Sequence, residues 1–143
     1  MTILDETARS RFGENGYVVL RGLLDSERDL GPLKAEYELL LDTVATRLFN
    51  DGVVSSSYAD LPFGPRFCNL VKETDGRVMN YMDICMPQKG VTSEMQVHCG
   101  PAAFGLLTNP KLLDAVEDIV GAEISSNPTQ HVRIKPPEKY LPQ

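Results

Sequence analysis

The sequence predicts an α+β fold in which helices dominate the first part and strands begin near the end. Two observations support this prediction. Apolar residues recur at helical spacing along 33–48 and along 112–120, whereas residues 130–135 alternate between polar and apolar side chains. A strand is stable only as part of a sheet, and this strand pattern comes at the end of the sequence. We therefore expect one partial domain over 1–143, which is mainly helical over 1–121 and in which a sheet only begins at 122–143.

Three helices are predicted, at about residues 5–14, at 25–49 with the main body starting at Gly31-Pro32, and at 110–120. Asp5 can cap the first helix, and Gly16 follows its end. Asn109 can cap the third, with Pro110 at its first position, where proline is favoured, and Gly121 at its end.

Strands and loops are predicted between and after these helices. Strands are expected at 17–22, 66–71 and 77–85, an extended segment at 122–137, and loops at 50–66 and 86–94. The stretch "YVVLRG" at 17–22 is β-branched, apolar and bounded by glycines, which is typical of a strand. Pro136 and Pro137 end the last extended segment, because proline cannot donate to a sheet.

Composition places the chain among ordinary globular proteins and narrows its partners. It has 143 residues, 42% of them hydrophobic and 24% charged, with a formal net charge of −6 and a pI near 4.9. The acidic balance argues against nucleic-acid and anionic-membrane binding. No stretch has the length of a membrane span or the pattern of a signal peptide, and the three cysteines show no paired spacing. We therefore expect a cytoplasmic protein with reduced cysteines.

Few residues carry recognisable chemistry. No phosphate-binding glycine loop, nucleophile elbow or short metal-ligand pair is present. Cys99 beside His98 could be a nucleophile with its base, but adjacent residues on an extended chain point to opposite faces. His131, Arg133 and Lys135 share one predicted strand face, where they could hold a carboxylate or phosphate, or could simply be a solvated edge.

Three segments in order carry a resemblance to a known family. The segments "RFGENGYVVLRGLLDSE", "LLTNPKLLDAVEDIVGAEI" and "QHVRIKPP" resemble the phytanoyl-CoA dioxygenase family of non-haem Fe(II)- and 2-oxoglutarate-dependent oxygenases. The resemblance covers most of the chain apart from its loop-rich middle near 50–100. No single segment is specific, and the ordered set carries the likeness.

The resemblance implies a fold, cofactors and two site residues. It implies helices packed around a double-stranded β-helix, or jelly-roll barrel, of which this chain holds only the first strands. The complete domain would use Fe(II) and 2-oxoglutarate to hydroxylate a small molecule. His131, five residues before the first proline of K-P-P, matches a position that lines the 2-oxoglutarate pocket. Arg133, on the same strand face, is the second cofactor-binding candidate.

The sequence departs from the family pattern after Pro137, where no H-x-D, distal His or distal Arg follows. The iron triad needs two histidines and a carboxylate, so we expect this chain alone to be inactive and assign it no catalytic or metal-binding residue. The alternatives are a non-catalytic binding or interaction module derived from the fold, or a small anion-binding domain that uses His131, Arg133 and Lys135. An incomplete sheet also predicts marginal stability and self-association through unpaired strands.

Overall fold

The computed structural model describes residues 2–86, 89–93, 95–127 and 129–137. Helices make up 48% of these residues, and none of them lies in a β-strand. The helices are α1 (Glu6–Asn15), α2 (Gly31–Asn50), α3 (Phe63–Glu73), α4 (Val78–Tyr81), α5 (Pro101–Leu107) and α6 (Pro110–Val120).

The predicted α+β fold with the first strands of a jelly-roll barrel is therefore wrong for the described residues. The predicted strand at 17–22 and the predicted extended segment at 122–137 pair with no other segment there. The predicted strand at 66–71 lies within α3, and the one at 77–85 contains α4. Residues 87, 88 and 94 of the predicted loop, and 128 and 138–143 of the predicted barrel start, lie outside the described residues.

The apolar run at 66–71 forms one turn and a half of helix rather than a strand. Phe67, Leu70 and Val71 are almost fully buried, at the spacing of one helical face. A short apolar run cannot distinguish a buried strand from a buried helical face by its periodicity, which explains the wrong prediction.

The capping predictions are confirmed at both predicted short helices. The Asp5 carboxylate accepts the backbone N–H of Ala8 at 2.7 Å, and Gly16 closes α1 with a φ of 75°, which favours glycine. The Asn109 side chain accepts the N–H of Lys111 at 3.0 Å at the start of α6, and Gly121 follows the end of that helix.

The chain divides into two compact units, which are described separately here. The first comprises residues 1–33 and 100–128, and the second comprises residues 34–99 and 129–143. The prediction of one partial domain over 1–143 stays a prediction.

In the first unit, a carboxylate of α6 holds the N-terminal segment. Asp118 accepts the backbone N–H groups of Ile3 and Leu4 at 2.5 and 2.8 Å, and pairs with Arg9 of α1 at 3.0 Å. The hydrogen bond from Leu4 is the largest cause of the lowered pKa of Asp118. Leu4 itself is completely buried.

In the second unit, α2 and α3 supply most of a small apolar core. Its fully buried side chains include Leu41, Phe67, Leu70, Val78 and Met82. This core fixes the backbone at Met82 and the residue after it, which carries the candidate site.

Two remaining predictions concern the whole chain. No helix among the described residues is long and apolar enough to span a membrane. All three cysteines are free: Cys68 is buried, Cys85 is half-buried and Cys99 is exposed.

Candidate functional site

A cavity of the second unit runs along the segment 131–136. It has a volume of about 750 Å³ and is lined by that segment together with Phe67, Met79, Asn80, Met82 and Asp83. Both sequence-predicted site residues, His131 and Arg133, therefore lie at one cavity, and Lys135 lies there with them. The site lies wholly within the second unit.

The segment keeps the alternation that the sequence predicted, although it has no partner strand among the described residues. His131, Arg133 and Lys135 are exposed, whereas Val132 and Ile134 are half-buried. Pro136 is buried and ends the alternating stretch. The alternation therefore predicted correctly which side chains are more exposed, although the segment forms no sheet among the described residues.

Asp83 holds this segment in place. Its carboxylate lies 2.7 Å from Nδ1 of His131 and accepts the backbone N–H of Val132 at 3.0 Å. It also accepts the N–H of Ile84 at 2.8 Å. Burial would raise the pKa of Asp83, but the hydrogen bonds from His131 and Val132 outweigh it, so that the pKa lies below its ordinary value.

The ionised carboxylate determines which nitrogen of His131 carries a proton. A carboxylate can only accept hydrogen bonds, so Nδ1 of His131 is the donor toward Asp83. In the neutral ring, Nε2 is then the acceptor. Asp83 thus fixes both the position and the tautomer of the predicted site histidine.

The arginine and the lysine at the cavity are not neutralised. Among the described residues, neither Arg133 nor Lys135 takes part in an ion pair, whereas the histidine has Asp83. The cavity wall therefore carries two uncompensated positive charges in a chain whose net charge is −6.

Two aromatic residues, Tyr37 and His98, stabilise the backbone at Met82 and Asp83 through hydrogen bonds. The hydroxyl of Tyr37 on α2 donates to the carbonyl of Met82 at 3.0 Å, and the backbone N–H of His98 donates to the carbonyl of Asp83 at 3.0 Å. The rings of Tyr37 and His98 meet edge to face, with centroids 5.4 Å apart. Burial, with the nearby charges of Glu36 and Asp83, raises the pKa of Tyr37 to about 12.

The structure places His98 in a structural role. Its Nε2 lies 2.9 Å from a carboxylate oxygen of Glu36, and both side chains are largely buried. Cys99 is exposed beside it. Among the described residues, no hydrogen bond joins the His98 ring to Cys99.

The described residues do not supply the ligands for iron. The triad needs two histidines and a carboxylate around one position. Among the residues that the structure describes, no three His, Cys, Asp or Glu side chains are placed to hold a metal ion together.

Sequence reasoning missed Asp83 and the wall formed by α4. The only local signal was an acidic residue inside the apolar stretch "YMDIC", because a charged side chain in such a stretch is seldom buried without a partner. Nothing in the sequence indicates that this partner is His131, 48 residues later.

Comparison with family models, with curated proteins and with solved structures gives no match to this chain.

Proposed function

We propose that the cavity along 131–136 binds a dicarboxylate co-substrate, 2-oxoglutarate, and that the chain is the N-terminal part of a phytanoyl-CoA dioxygenase-like oxygenase that hydroxylates a small molecule. The observation that supports this most directly is the pair of uncompensated cations, Arg133 and Lys135, at one cavity. The likeness of "QHVRIKPP" to the family supplies the identity of the ligand.

The size and lining of the cavity suit a small dicarboxylate. Its volume of about 750 Å³ lies within the ordinary range for small-molecule sites, roughly 300–1,000 Å³. Arg133 offers a planar fork that can bind a carboxylate through two parallel hydrogen bonds, and Lys135 offers a point charge. Phe67 and Met79 give an apolar surface for the methylene groups of the ligand.

The residues described here would bind and orient the co-substrate. Asp83 keeps His131 at the cavity edge with Nδ1 protonated, so that the ring can face a ligand through Nε2. In the complete family domain, Fe(II) supplies the oxygen chemistry. None of the described residues is proposed to hold that iron, and this chain alone is proposed to be inactive.

A second candidate function is a non-catalytic binding module that retains the dicarboxylate cavity. The specific observation in its favour is that Arg133 and Lys135 lie at one cavity, where binding an anion requires no metal. The two proposals share the ligand and differ in whether the chain belongs to a larger domain that holds iron.

Isothermal titration calorimetry of the full chain with 2-oxoglutarate tests the shared part. Binding should be saturable, and Arg133→Met should weaken it about tenfold or more, because a hydrogen bond to a charged group is among the stronger single contacts. Arg11→Met is the matched control, since Arg11 is an exposed arginine of the first unit. Equal affinity in the parent and in Arg133→Met would overturn the proposal.

The coding sequence after residue 143 separates the two candidates. A reading frame that continues into an H-x-D supports the N-terminal part of an oxygenase. A reading frame that stops there, together with saturable 2-oxoglutarate binding, supports the binding module.

A further inference from the structure

A second cavity of the second unit is lined by polar side chains from three different parts of the chain. It has a volume of about 320 Å³, and its polar lining consists of Arg47, Arg77, Asn80, Tyr81, Thr92 and Gln96. Two of these residues are arginines, and none of the described lining residues is a carboxylate. The cavity is therefore locally basic, in contrast to the acidic chain as a whole.

A tight turn between α3 and α4 positions Arg77 at this cavity. Asp75 and Gly76, between α3 and α4, both have positive φ, at 50° and 78°. The backbone N–H and the Nε of Arg77 then both donate to the carbonyl of Thr74, at 3.1 and 3.0 Å. Because only Nε is used, the two terminal nitrogens of the guanidinium remain available to a ligand at the cavity.

Arg47 reaches the same cavity from α2. One terminal nitrogen donates to Oε1 of Gln96 at 3.1 Å, and Nε lies 3.7 Å from Asp51, an exposed pair. An exposed pair at that distance compensates little of the charge. The bond to Arg47 also orients Gln96, because its carbonyl oxygen faces the arginine and its amide nitrogen is left as a donor.

The lining thus presents several donors around one small space. The arginines contribute guanidinium N–H groups, Asn80 and Gln96 contribute amide N–H groups, and Thr92 contributes a hydroxyl. A phosphate group has three strong acceptor oxygens and a charge of about −1.5 to −2 at neutral pH, and arginine forks match its geometry. A planar carboxylate would leave more of these donors without an acceptor.

We propose that this second cavity, lined by Arg47 and Arg77, is a phosphate-binding site, separate from the 2-oxoglutarate cavity. Its ligand is a phosphate group, either free or at the end of a small molecule. Because both arginines are exposed, inorganic phosphate alone should bind weakly.

The test is an NMR titration of the full chain with inorganic phosphate at constant ionic strength, with chloride as the reference salt. Saturable shifts of the Asn80 and Thr92 amides are expected. Arg77→Met should weaken phosphate about tenfold or more. The exposed Arg11→Met should leave it unchanged, as should Arg133→Met.

Failure of this site can be told apart from failure of the first. Arg77→Met should still bind 2-oxoglutarate, which also confirms that the variant is folded, whereas Arg133→Met should bind 2-oxoglutarate about tenfold or more weakly and should bind phosphate as the parent does. If Arg77→Met does not fold, Arg47→Met gives the same test from α2. Shifts that do not saturate, or unchanged phosphate affinity in a folded Arg77→Met or Arg47→Met variant, would overturn the proposal.

The chemical form of the ligand is resolved by a matched pair of probes. Phenyl phosphate should compete with inorganic phosphate at the Asn80 and Thr92 amides, and benzoate should not. Equal competition by benzoate would overturn the assignment of a phosphate group.

Discussion

Removing the Asp83 side chain should detach the segment 131–136 from the rest of the second unit and lower the free energy of unfolding. Its carboxylate accepts hydrogen bonds from His131, Val132 and Ile84, and the side chain is only 19% exposed. Asp83→Ala removes all three acceptor contacts and leaves two backbone N–H groups without their partner. At about 1 kcal/mol for each bond at a partly solvated position, we expect a loss of about 3 kcal/mol in the free energy of unfolding.

That loss would be large beside the usual total stability of about 5–15 kcal/mol. Urea unfolding of the parent and the variant gives the difference, and amide hydrogen exchange at Val132 reports on the segment itself. Asp60→Ala is the matched control, because Asp60 is exposed in a loop of the same unit, and it should change stability by less than about 0.5 kcal/mol. A loss below about 1 kcal/mol in Asp83→Ala, with unchanged exchange at Val132, would refute the anchoring role.

The stability that the Asp83 carboxylate contributes should depend on pH, in a direction that follows from the pKa of Asp83. The pKa of Asp83 is lower in the folded chain than its ordinary value of 3.8, so the ionised form is the one that the fold favours. Its stabilisation is fully present above the unfolded pKa, about 3.9, and is lost as the pH falls through the folded pKa. The difference between the parent and Asp83→Ala should therefore shrink in urea titrations below about pH 4, and a constant difference down to pH 2 would contradict this origin.

Four further predictions concern other parts of the molecule. Tyr37→Phe should cost about 1 kcal/mol in urea unfolding, because it removes the hydroxyl that donates to the carbonyl of Met82, and should remove a phenolate transition near pH 12 from the absorbance titration; the idea fails if a transition of the same size remains there in the variant. Lys111→Met should raise the pKa of Asp29 from about 2 toward 3.8, measured by NMR titration, because the Lys111 hydrogen bond is the main cause of that low value; an unchanged pKa would exclude this cause. Arg66→Met should lower the free energy of unfolding by about 2 kcal/mol, because this buried side chain donates to the backbone carbonyl of Ser57 and to the carboxylate of Asp42. An unchanged free energy of unfolding in urea would contradict this role. Val19→Lys should lower self-association in analytical ultracentrifugation if the exposed apolar segment at 17–22 mediates it, and an unchanged monomer fraction would exclude that segment.

Helix boundaries could be predicted from the sequence because their signals are local. Asp5 and Gly16 for α1, and Asn109 and Gly121 for α6, act on backbone groups a few residues away, so the sequence itself contains both partners. The short helix α5 was not predicted, since seven residues give too short a pattern to recognise.

The strands failed for a different reason. Alternation determines which side chains face solvent, and at 131–135 the exposure follows the predicted pattern. A strand also needs a second segment to share its hydrogen bonds, and no local pattern says whether one is present. At 66–71 the apolar density that suggested a strand belongs to the buried face of α3.

Only some residues of the two cavities could be predicted from the sequence. His131 and Arg133 could be identified from the basic face of one short segment and from the family likeness, and both line the cavity. Asp83, Arg47 and Arg77 could not, because the cavities that they line bring together segments far apart in the sequence.

One residue of α4 borders both cavities. Asn80 lines the cavity along 131–136 and also the cavity of Arg47 and Arg77, so that a four-residue helix is the wall that they share. Under the two binding proposals, a ligand that shifts this wall would change the free energy of binding on its other side. By thermodynamic linkage such an effect would be reciprocal: any factor by which phosphate altered the affinity for 2-oxoglutarate would equal the factor by which 2-oxoglutarate altered the affinity for phosphate. If both proposed ligands bind, this thin helix is the place where one small molecule would report the concentration of another.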